Sequence, residues 1–311
     1  MRNLVLVHYK RFFFRWETFA VTLLNLFLGI CSTIFAVILC DPLSISYFDF
    51  NTIIYAVTVV SLCCTAAAVT FIEINTLSTG AVRNPLIAGY SKAKVFISKY
   101  IAAAVFSMTQ CAITFVPSLL ANRWVRNPVR FTVSMLLMYA SISCILMAVC
   151  LLSDRPTVYT VIAIGCLLLF NAGGDTFSRL LTQRQYVEVW FDSDTETVQR
   201  FENPRYVSSP ARDMIDQTLR ISPIQPLSEY FEWYIPKDVR DYQDSVDFFE
   251  KRIAESDNEM QRESRQFELD NYKLEYGSHL NRIVVFPYYQ SAFLIAFGIG
   301  GALVFRKRNL K

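Results

Sequence analysis

The sequence predicts an all-α membrane protein with six transmembrane helices, an amphipathic N-terminal helix and a large external α(+β) insert between spans five and six. Three observations support this fold class. The chain of 311 residues is 53% hydrophobic and only 18% charged, whereas soluble proteins contain about 25% charged residues. The apolar residues are concentrated in six blocks, and most acidic residues lie in one polar segment. These features exclude a plain cytosolic globule and a disordered chain.

The six apolar blocks are the candidate membrane spans. Most exceed the roughly 18 residues that cross the hydrocarbon core at a helical rise of about 1.5 Å per residue. The first block is too long for a signal peptide and has no small-residue cleavage site, so we interpret it as a span. The fifth is short, and we expect it to continue through Gly173 and Gly174. The blocks are 17–40, 51–72, 98–121, 131–152, 157–172 and 283–305.

Basic residues in the short loops predict the orientation, because cytoplasmic loops carry an excess of Lys and Arg. With the N-terminus inside, the cytoplasmic pieces hold twelve basic residues. The short external loops hold three, which are Arg123, Arg126 and Arg130. The sequence therefore predicts a multi-pass protein of the plasma membrane with both termini in the cytoplasm.

The polar segment 173–281 divides the chain into three parts. Before it, 1–172 holds the N-terminal interfacial helix and spans one to five; after it, 282–311 holds the sixth span and a cytoplasmic tail. The segment contains 22 acidic and 13 basic residues and none of the eight cysteines. We expect it to be extracytoplasmic and to fold without a disulfide framework.

Local patterns predict the structure of this insert. The alternating run 186–191, followed by a turn, predicts a β-hairpin. Ser209 and Pro210 are typical of a helix start and predict a helix to about Arg220. Spaced apolar residues predict one or two long helices over 237–276. The insert is either a set of solvated helices packed over the membrane part or a lid or partner-docking element over an exit path.

Several classes of function are disfavoured by what the chain lacks. No span interior contains Asp, Glu, Lys or Arg, and Glu17 and Lys99 lie at span edges. This disfavours a proton-coupled carrier and an intramembrane acid–base enzyme. No phosphate-binding loop of the form GxxxxGK[ST] is present, so any ATP must be bound by another chain. The only histidines, His8 and His279, argue against a metal centre. We expect no catalytic residue and no nucleic-acid partner.

The cytoplasmic segment between spans two and three is unusually long. It has about 25 residues where a plain connector needs about four to six. Its composition predicts an amphipathic helix that exposes Leu77, Val82, Leu86 and Ile87. By itself this pattern suits an interfacial helix on membrane lipid.

The segment resembles the coupling region of the ABC type-2 permease family, the transmembrane subunits of ABC exporters. In that family a Glu ends the second span, here Glu73, and a loop with conserved positions follows. The C-terminal sequence GALVFRKRNLK also resembles the family's ending. The resemblance covers the membrane part, about two thirds of the chain, whereas 173–281 is larger than its counterpart in the family. The matching loop residues are Ser78 or Thr79, Arg83, Asn84, Pro85, Leu86, Gly89, Ser91, Lys92, Ser98 and Lys99.

The resemblance implies a partner and a mechanism. Segment 74–97 would dock into a groove of a separate nucleotide-binding subunit, which would hold ATP and Mg. Residues 1–16 would form a connecting helix at the inner interface, and two permease chains, expected as a homodimer, would assemble with two ATPase chains. Glu73 would anchor the helix bundle by pairing with a nearby basic or hydroxyl group, with Arg83 as the expected partner within the loop. The residues assigned to coupling are Glu73, Leu77, Arg83, Asn84, Leu86, Ile87, Gly89, Ser91 and Lys92.

Two functions remain open from the sequence. The first is a non-catalytic permease subunit that exports an amphipathic cargo such as a peptide, an antibiotic or a lipid-like molecule. The second is a membrane-anchored sensor or assembly scaffold whose external domain binds a partner. Polar residues inside spans commonly form interhelical hydrogen bonds, but some could line a path for cargo. The candidate path residues are Asn25, Thr109, Gln110, Phe106 and Phe115.

Overall fold

The computed structural model describes residues 1–39, 48–81, 83–121, 127–152, 185–192, 197–221, 242–256 and 259–307, and scattered positions between 157 and 234. Within these ranges the chain forms nine helices and one antiparallel pair of strands. The helices of the membrane part before the insert are α1 (Arg2–Phe13), α2 (Trp16–Leu39), α3 (Phe48–Ser78), α4 (Arg83–Ile87), α5 (Lys92–Ala121) and α6 (Pro128–Leu152). The later elements are β1 (Tyr186–Asp192), β2 (Thr197–Glu202), α7 (Ser209–Ile221), α8 (Tyr242–Ala254) and α9 (Glu259–Lys307).

Five helical segments in the described ranges are long and apolar enough to cross a membrane. This confirms a helical multi-pass membrane protein, because each segment exceeds the roughly 18 residues that the hydrocarbon core requires. The predicted fifth span, 157–172, lies mostly outside the described residues, so the count of six stays a prediction. The five segments are Trp16–Ile34, Ile53–Leu77, Lys92–Pro117, Pro128–Leu151 and Arg282–Lys307.

The chain separates into two compact units. The first contains 1–169, 230–237 and 286–311, and the second contains 170–229 and 238–285. In the first unit α5 is the central helix, since it contacts α1, α2, α3 and α6. Its inward side chains include Phe96 and Phe106, both fully buried in a cluster with residues from α1, α3, α6 and the end of α9.

Close approach of α2 and α5 depends on a glycine. A Cβ atom added at Gly29 would lie 2.8 Å from the carbonyl oxygen of Ile113 and 2.9 Å from that of Thr114. Both contacts are to backbone, which cannot rotate away, so the two helix axes would have to separate. Small residues at such crossings let helix backbones pack tightly in a membrane.

We expect Gly29→Ala to destabilise the purified protein by about 1–3 kcal/mol, the usual cost of overpacking a tight contact. The matched control is Gly300→Ala in α9, where an added Cβ would meet no atom within 4 Å. Ala favours a helix over Gly, so this control should be neutral or slightly stabilising. Thermal unfolding in detergent measures both, and equal midpoints for the two variants would contradict the close crossing.

The second unit confirms the local predictions for the insert. Strands β1 and β2 pair antiparallel, with Tyr186 opposite Glu202 and an irregular register between Trp190 and Asp192. Helix α7 covers Ser209–Ile221, as the Ser-Pro start predicts. The charged stretch forms two helices, α8 and the first part of α9.

Ion pairs join helices within this unit. Lys273 Nζ of α9 lies 3.1 Å from Glu250 Oε1 of α8. Arg282, whose side chain is fully buried, donates to Asp216 of α7 at 2.7 Å. Asp216 also pairs with Arg220 one turn along α7 at 2.7 Å. A buried guanidinium needs such acceptors, because an unpaired buried charge is costly.

Candidate functional site

The loop between α3 and α5 contains a short helix flanked by two glycine turns. Gly80 follows the end of α3 with φ of +68°, and Gly89 follows α4 with φ of +85°. Residues with a Cβ rarely adopt this left-handed conformation, whereas glycine does so readily. The two glycines therefore allow the chain to leave α3, form α4 and enter α5 within a few residues.

Hydrogen bonds close both sides of the second turn. Gly89 N–H donates to the carbonyl of Leu86 at 3.0 Å, and Tyr90 N–H donates to that of Pro85 at 3.1 Å. This is the Schellman pattern, in which a left-handed glycine ends a helix. Ser91 then lies at the start of α5, where its Oγ accepts from Lys94 N–H at 3.4 Å. Gly89 and Ser91, two predicted coupling residues, thus shape the loop itself.

Glu73 of α3 and Lys99 of α5 form a buried ion pair beneath this loop. The Lys99 side chain is 0% exposed and that of Glu73 only 3%. The expected partner was Arg83, and that prediction is wrong: Arg83 is exposed at the start of α4. The physical reason is that Lys99 lies on the neighbouring helix at the depth of Glu73, so its ammonium group offsets the cost of burying the carboxylate.

Helix α1 packs beside this pair. His8 is 3% exposed, and its Nε2 has no hydrogen-bond partner among the described residues. Burial, followed by the positive charges of Lys99 and Arg11, lowers the pKa of His8 to about 3. His8 is therefore neutral at physiological pH, so it adds no positive charge to those of Lys99 and Arg11.

Aromatic rings connect α1 to α5 one layer deeper. Phe12 stacks on Phe106 with ring centroids 5.5 Å apart, and Phe13 meets the same ring edge-on at 5.4 Å. Phe12 and Phe106 are both buried, so the N-terminal helix is part of the packed core at this end of the bundle.

The apolar face predicted for the loop is smaller in the structure. Leu77 and Leu86 are partly buried and pack against the buried core cluster of the first unit. Ile87 is 82% exposed, and Arg83 and Asn84 beside it are also exposed. The prediction of exposure is therefore wrong for Leu77, which lies in the last turn of α3, and for Leu86, because α4 folds back on its own bundle. Val82 lies outside the described residues.

Polar path residues form a hydrogen-bonded network between helices. Asn25 Nδ2 of α2 donates to Thr65 Oγ1 of α3 at 3.1 Å and to Gln110 Oε1 of α5 at 3.0 Å. Gln110 Nε2 donates in turn to Thr22 Oγ1 at 2.9 Å. Asn25 and Gln110 are fully buried, so in this conformation they join three helices. Such bonds stabilise helix association in lipid.

The other predicted path residues lie apart from this network. Thr109 is half-buried, and its Oγ1 donates to the Val105 carbonyl of its own helix at 2.9 Å. Phe115 is buried and meets Tyr139 edge-on, with centroids 6.1 Å apart. Phe106 belongs to the aromatic layer with α1. The structure thus brings together Asn25 and Gln110 and separates the three remaining residues.

Sequence reasoning missed the roles of Lys99 and His8. Glu73 lies shortly before the end of α3, and Lys99 lies shortly after the start of α5. Opposite charges at similar depths in consecutive antiparallel helices predict a pair, and that signal was present. His8 carried no comparable signal, because the packing of α1 on α5 cannot be read from local periodicity.

The site offers anchoring and docking chemistry. No group of three or more potential metal ligands occurs among the described residues. The distinctive features of the α3–α5 loop and the adjoining helix ends are a buried ion pair, a short helix between glycine turns and one highly exposed isoleucine. Comparisons with protein-family models, curated proteins and solved structures give no match for this chain.

Proposed function

We propose that this chain is the transmembrane permease subunit of an ATP-driven ABC exporter. The observation that carries the proposal is the combination of the buried Glu73–Lys99 pair with the exposed helix α4 directly above it. Five apolar helices give the chain a way to surround a transport path. The resemblance of the loop to the ABC type-2 permeases supplies the class of partner.

The mechanism follows from how force would pass through the loop. A nucleotide-binding subunit that holds ATP and Mg would press on α4 through Ile87 and its exposed neighbours. The Glu73–Lys99 pair ties α3 to α5, so a displacement of α4 would move both helices together. Packed helices shift as rigid units, and such a shift would open and close a path between them.

The cargo we propose is amphipathic, such as a peptide, an antibiotic or a lipid-like molecule. Asn25 and Gln110 would take part when α2, α3 and α5 separate, because their amide groups would then lose each other as partners. A buried amide without a partner is costly, so a polar group of the cargo would stabilise the open arrangement. The apolar part of the cargo would contact the apolar surfaces of the spanning helices.

The test of this function is purification of the tagged chain from its native membrane in mild detergent. We expect a soluble ATPase to co-purify in a two-plus-two assembly with a dimer of this chain, and ATP hydrolysis to accompany the complex. A chain that never retains an ATPase but retains an external partner through 173–281 would overturn the exporter proposal in favour of the sensor or scaffold.

The proposed topology places both termini and the α3–α5 loop in the cytoplasm and 173–281 outside. We expect Glu255→Cys, an exposed position after α8, to react with a membrane-impermeant maleimide on intact cells. The matched control Thr79→Cys, exposed in the loop, should react only after lysis. The unsubstituted chain gives the background from the native cysteines. Labelling of Thr79→Cys on intact cells with protection of Glu255→Cys would reverse the orientation.

A further inference from the structure

Helix α1 presents two unlike faces. Leu4, His8 and Phe12, spaced by four residues, are buried against the bundle. On the other side Phe14, just after the helix, is 86% exposed, and Trp16 at the start of α2 is 76% exposed. A short helix with one face open and large aromatic residues at its end is typical of a helix that lies in the membrane interface.

Basic groups border the exposed face. Lys10 is exposed, and Arg11 and Arg15 are half-buried. Within the described part of the chain, Arg11 Nη1 is buried without a hydrogen-bond acceptor. A guanidinium N–H in that position normally has an acceptor, because leaving it unsatisfied is costly. Arg11 Nη1 is thus unsatisfied in this conformation, and an outward turn of this half-buried side chain would bring it to an acceptor outside the chain.

The C-terminal end of α1 and its junction with α2 also have an excess of positive charge. Lys99 is paired with Glu73, whereas no carboxylate of the described residues forms an ion pair with Lys10, Arg11 or Arg15. Burial lowers the pKa of His8, and the charges of Lys99 and Arg11 lower it further. An anionic group outside the chain would complement this charge.

We propose that the C-terminal turn of α1 and its junction with α2 bind the phosphate headgroup of an anionic phospholipid. Arg11 is the principal phosphate ligand, because its planar fork matches two phosphate oxygens. Lys10 and Arg15 add attraction to the charged surface. Phe14 and Trp16 hold the junction at headgroup depth. The lipid would fasten α1 against the aromatic layer that Phe12 forms with α5.

The experiment is a lipid titration of the purified full-length chain in neutral detergent, followed by its thermal unfolding midpoint. Phosphatidylglycerol should raise the midpoint in a saturable manner, because a ligand that binds only the folded state stabilises it. Phosphatidylcholine, which carries no net charge, should raise it much less. Inorganic phosphate alone should have little effect, since it lacks the acyl chains that keep the headgroup at the interface.

Substitutions then locate the site. Arg11→Gln should weaken the response to phosphatidylglycerol about fivefold or more, the effect of one basic residue at a charged membrane surface. Arg11→Lys should lie between this variant and the unsubstituted chain, because it keeps the charge and loses the fork. Lys10→Gln changes an exposed side chain and tests the same site without affecting packing. The matched control is Lys307→Gln, an exposed cation at the end of α9.

Three results would overturn the proposal. They are an equal response to both lipids, a full response to inorganic phosphate alone, and an unchanged phosphatidylglycerol response in Arg11→Gln and Lys10→Gln. No ATPase subunit takes part in the measurement. If the lipid-binding proposal fails, the exporter proposal is therefore unaffected. If the exporter proposal fails, the lipid-binding proposal is likewise unaffected.

Discussion

Replacing Lys99 with methionine is expected to destabilise the folded chain by about 3–5 kcal/mol, because it leaves the Glu73 carboxylate buried without its cation. The pair lies between two helices with almost no exposure, so water cannot take the place of the lost partner. Methionine keeps most of the volume and the flexibility of the lysine side chain. The expected measurement is a large fall in the temperature at which the purified protein survives heating in detergent.

The double variant Glu73→Leu with Lys99→Met separates charge from packing. Removing both members of a buried pair is often neutral or stabilising, so the double variant should recover most of the lost stability. The surface control is Lys251→Gln, whose partner Glu255 lies 3.8 Å away with both side chains well exposed. Such pairs contribute about 0–1 kcal/mol. A mild effect of Lys99→Met, comparable to that of Lys251→Gln, would contradict the buried pair.

The double variant also tests coupling. If the pair transmits motion as proposed, a stable double variant should still bind the ATPase subunit but show ATP hydrolysis that no longer responds to cargo. The apolar replacement can hold α3 against α5, but it lacks the directional bond that keeps the two helices in one register. Full cargo-stimulated activity in the double variant would restrict Glu73 and Lys99 to a structural role.

The second large effect is expected at Ile87. Because this side chain is 82% exposed, Ile87→Asp should leave folding unchanged within about 0.5 kcal/mol. In the proposed complex, however, it would place a charge in an apolar groove. Loss of an apolar anchor at an interface typically costs about 2 kcal/mol or more, which is about a thirtyfold loss of affinity. The ATPase subunit should therefore be absent from the purified variant.

The matched control for Ile87→Asp is Val129→Asp. Val129 is 73% exposed at the start of α6, at the opposite end of the bundle from the α3–α5 loop. We expect this variant to keep the ATPase subunit. Leu86 is a poor test residue, because it packs against the core of its own chain and its replacement would also affect folding. Retention of the subunit by Ile87→Asp would remove α4 from the docking surface.

The helical membrane architecture could be predicted from the sequence because hydrocarbon imposes a strong local rule. A spanning helix needs a continuous apolar run, and that run is visible in one window of sequence. The hairpin at Tyr186–Asp192 and Thr197–Glu202 and the helix at Ser209–Ile221 were likewise predictable. Alternation and the Ser-Pro start act on neighbouring residues, so they need no knowledge of the rest of the fold.

The sequence also singled out segment 74–97, by its length, its glycines and its family resemblance. Only the tertiary structure decided which of its side chains face outward. Leu77 at the end of α3 and Leu86 in α4 turn inward and Ile87 turns outward, because α3 packs in the bundle and α4, between two left-handed glycines, folds back on it. Amphipathic periodicity predicts which residues share one face of a helix. It does not predict which neighbouring element covers that face.

The sequence by itself determined that the chain is a helical membrane protein, since the free energy of moving apolar residues into lipid depends on composition and length. Tertiary structure decided that Glu73 binds Lys99 rather than Arg83, although the matching depths of the two charges were visible in the sequence; it alone decided that His8 is buried beside them and that Asn25 reaches Gln110. Each of these contacts joins residues that are distant in the chain. They depend on how the helices are positioned against one another, which no local pattern encodes.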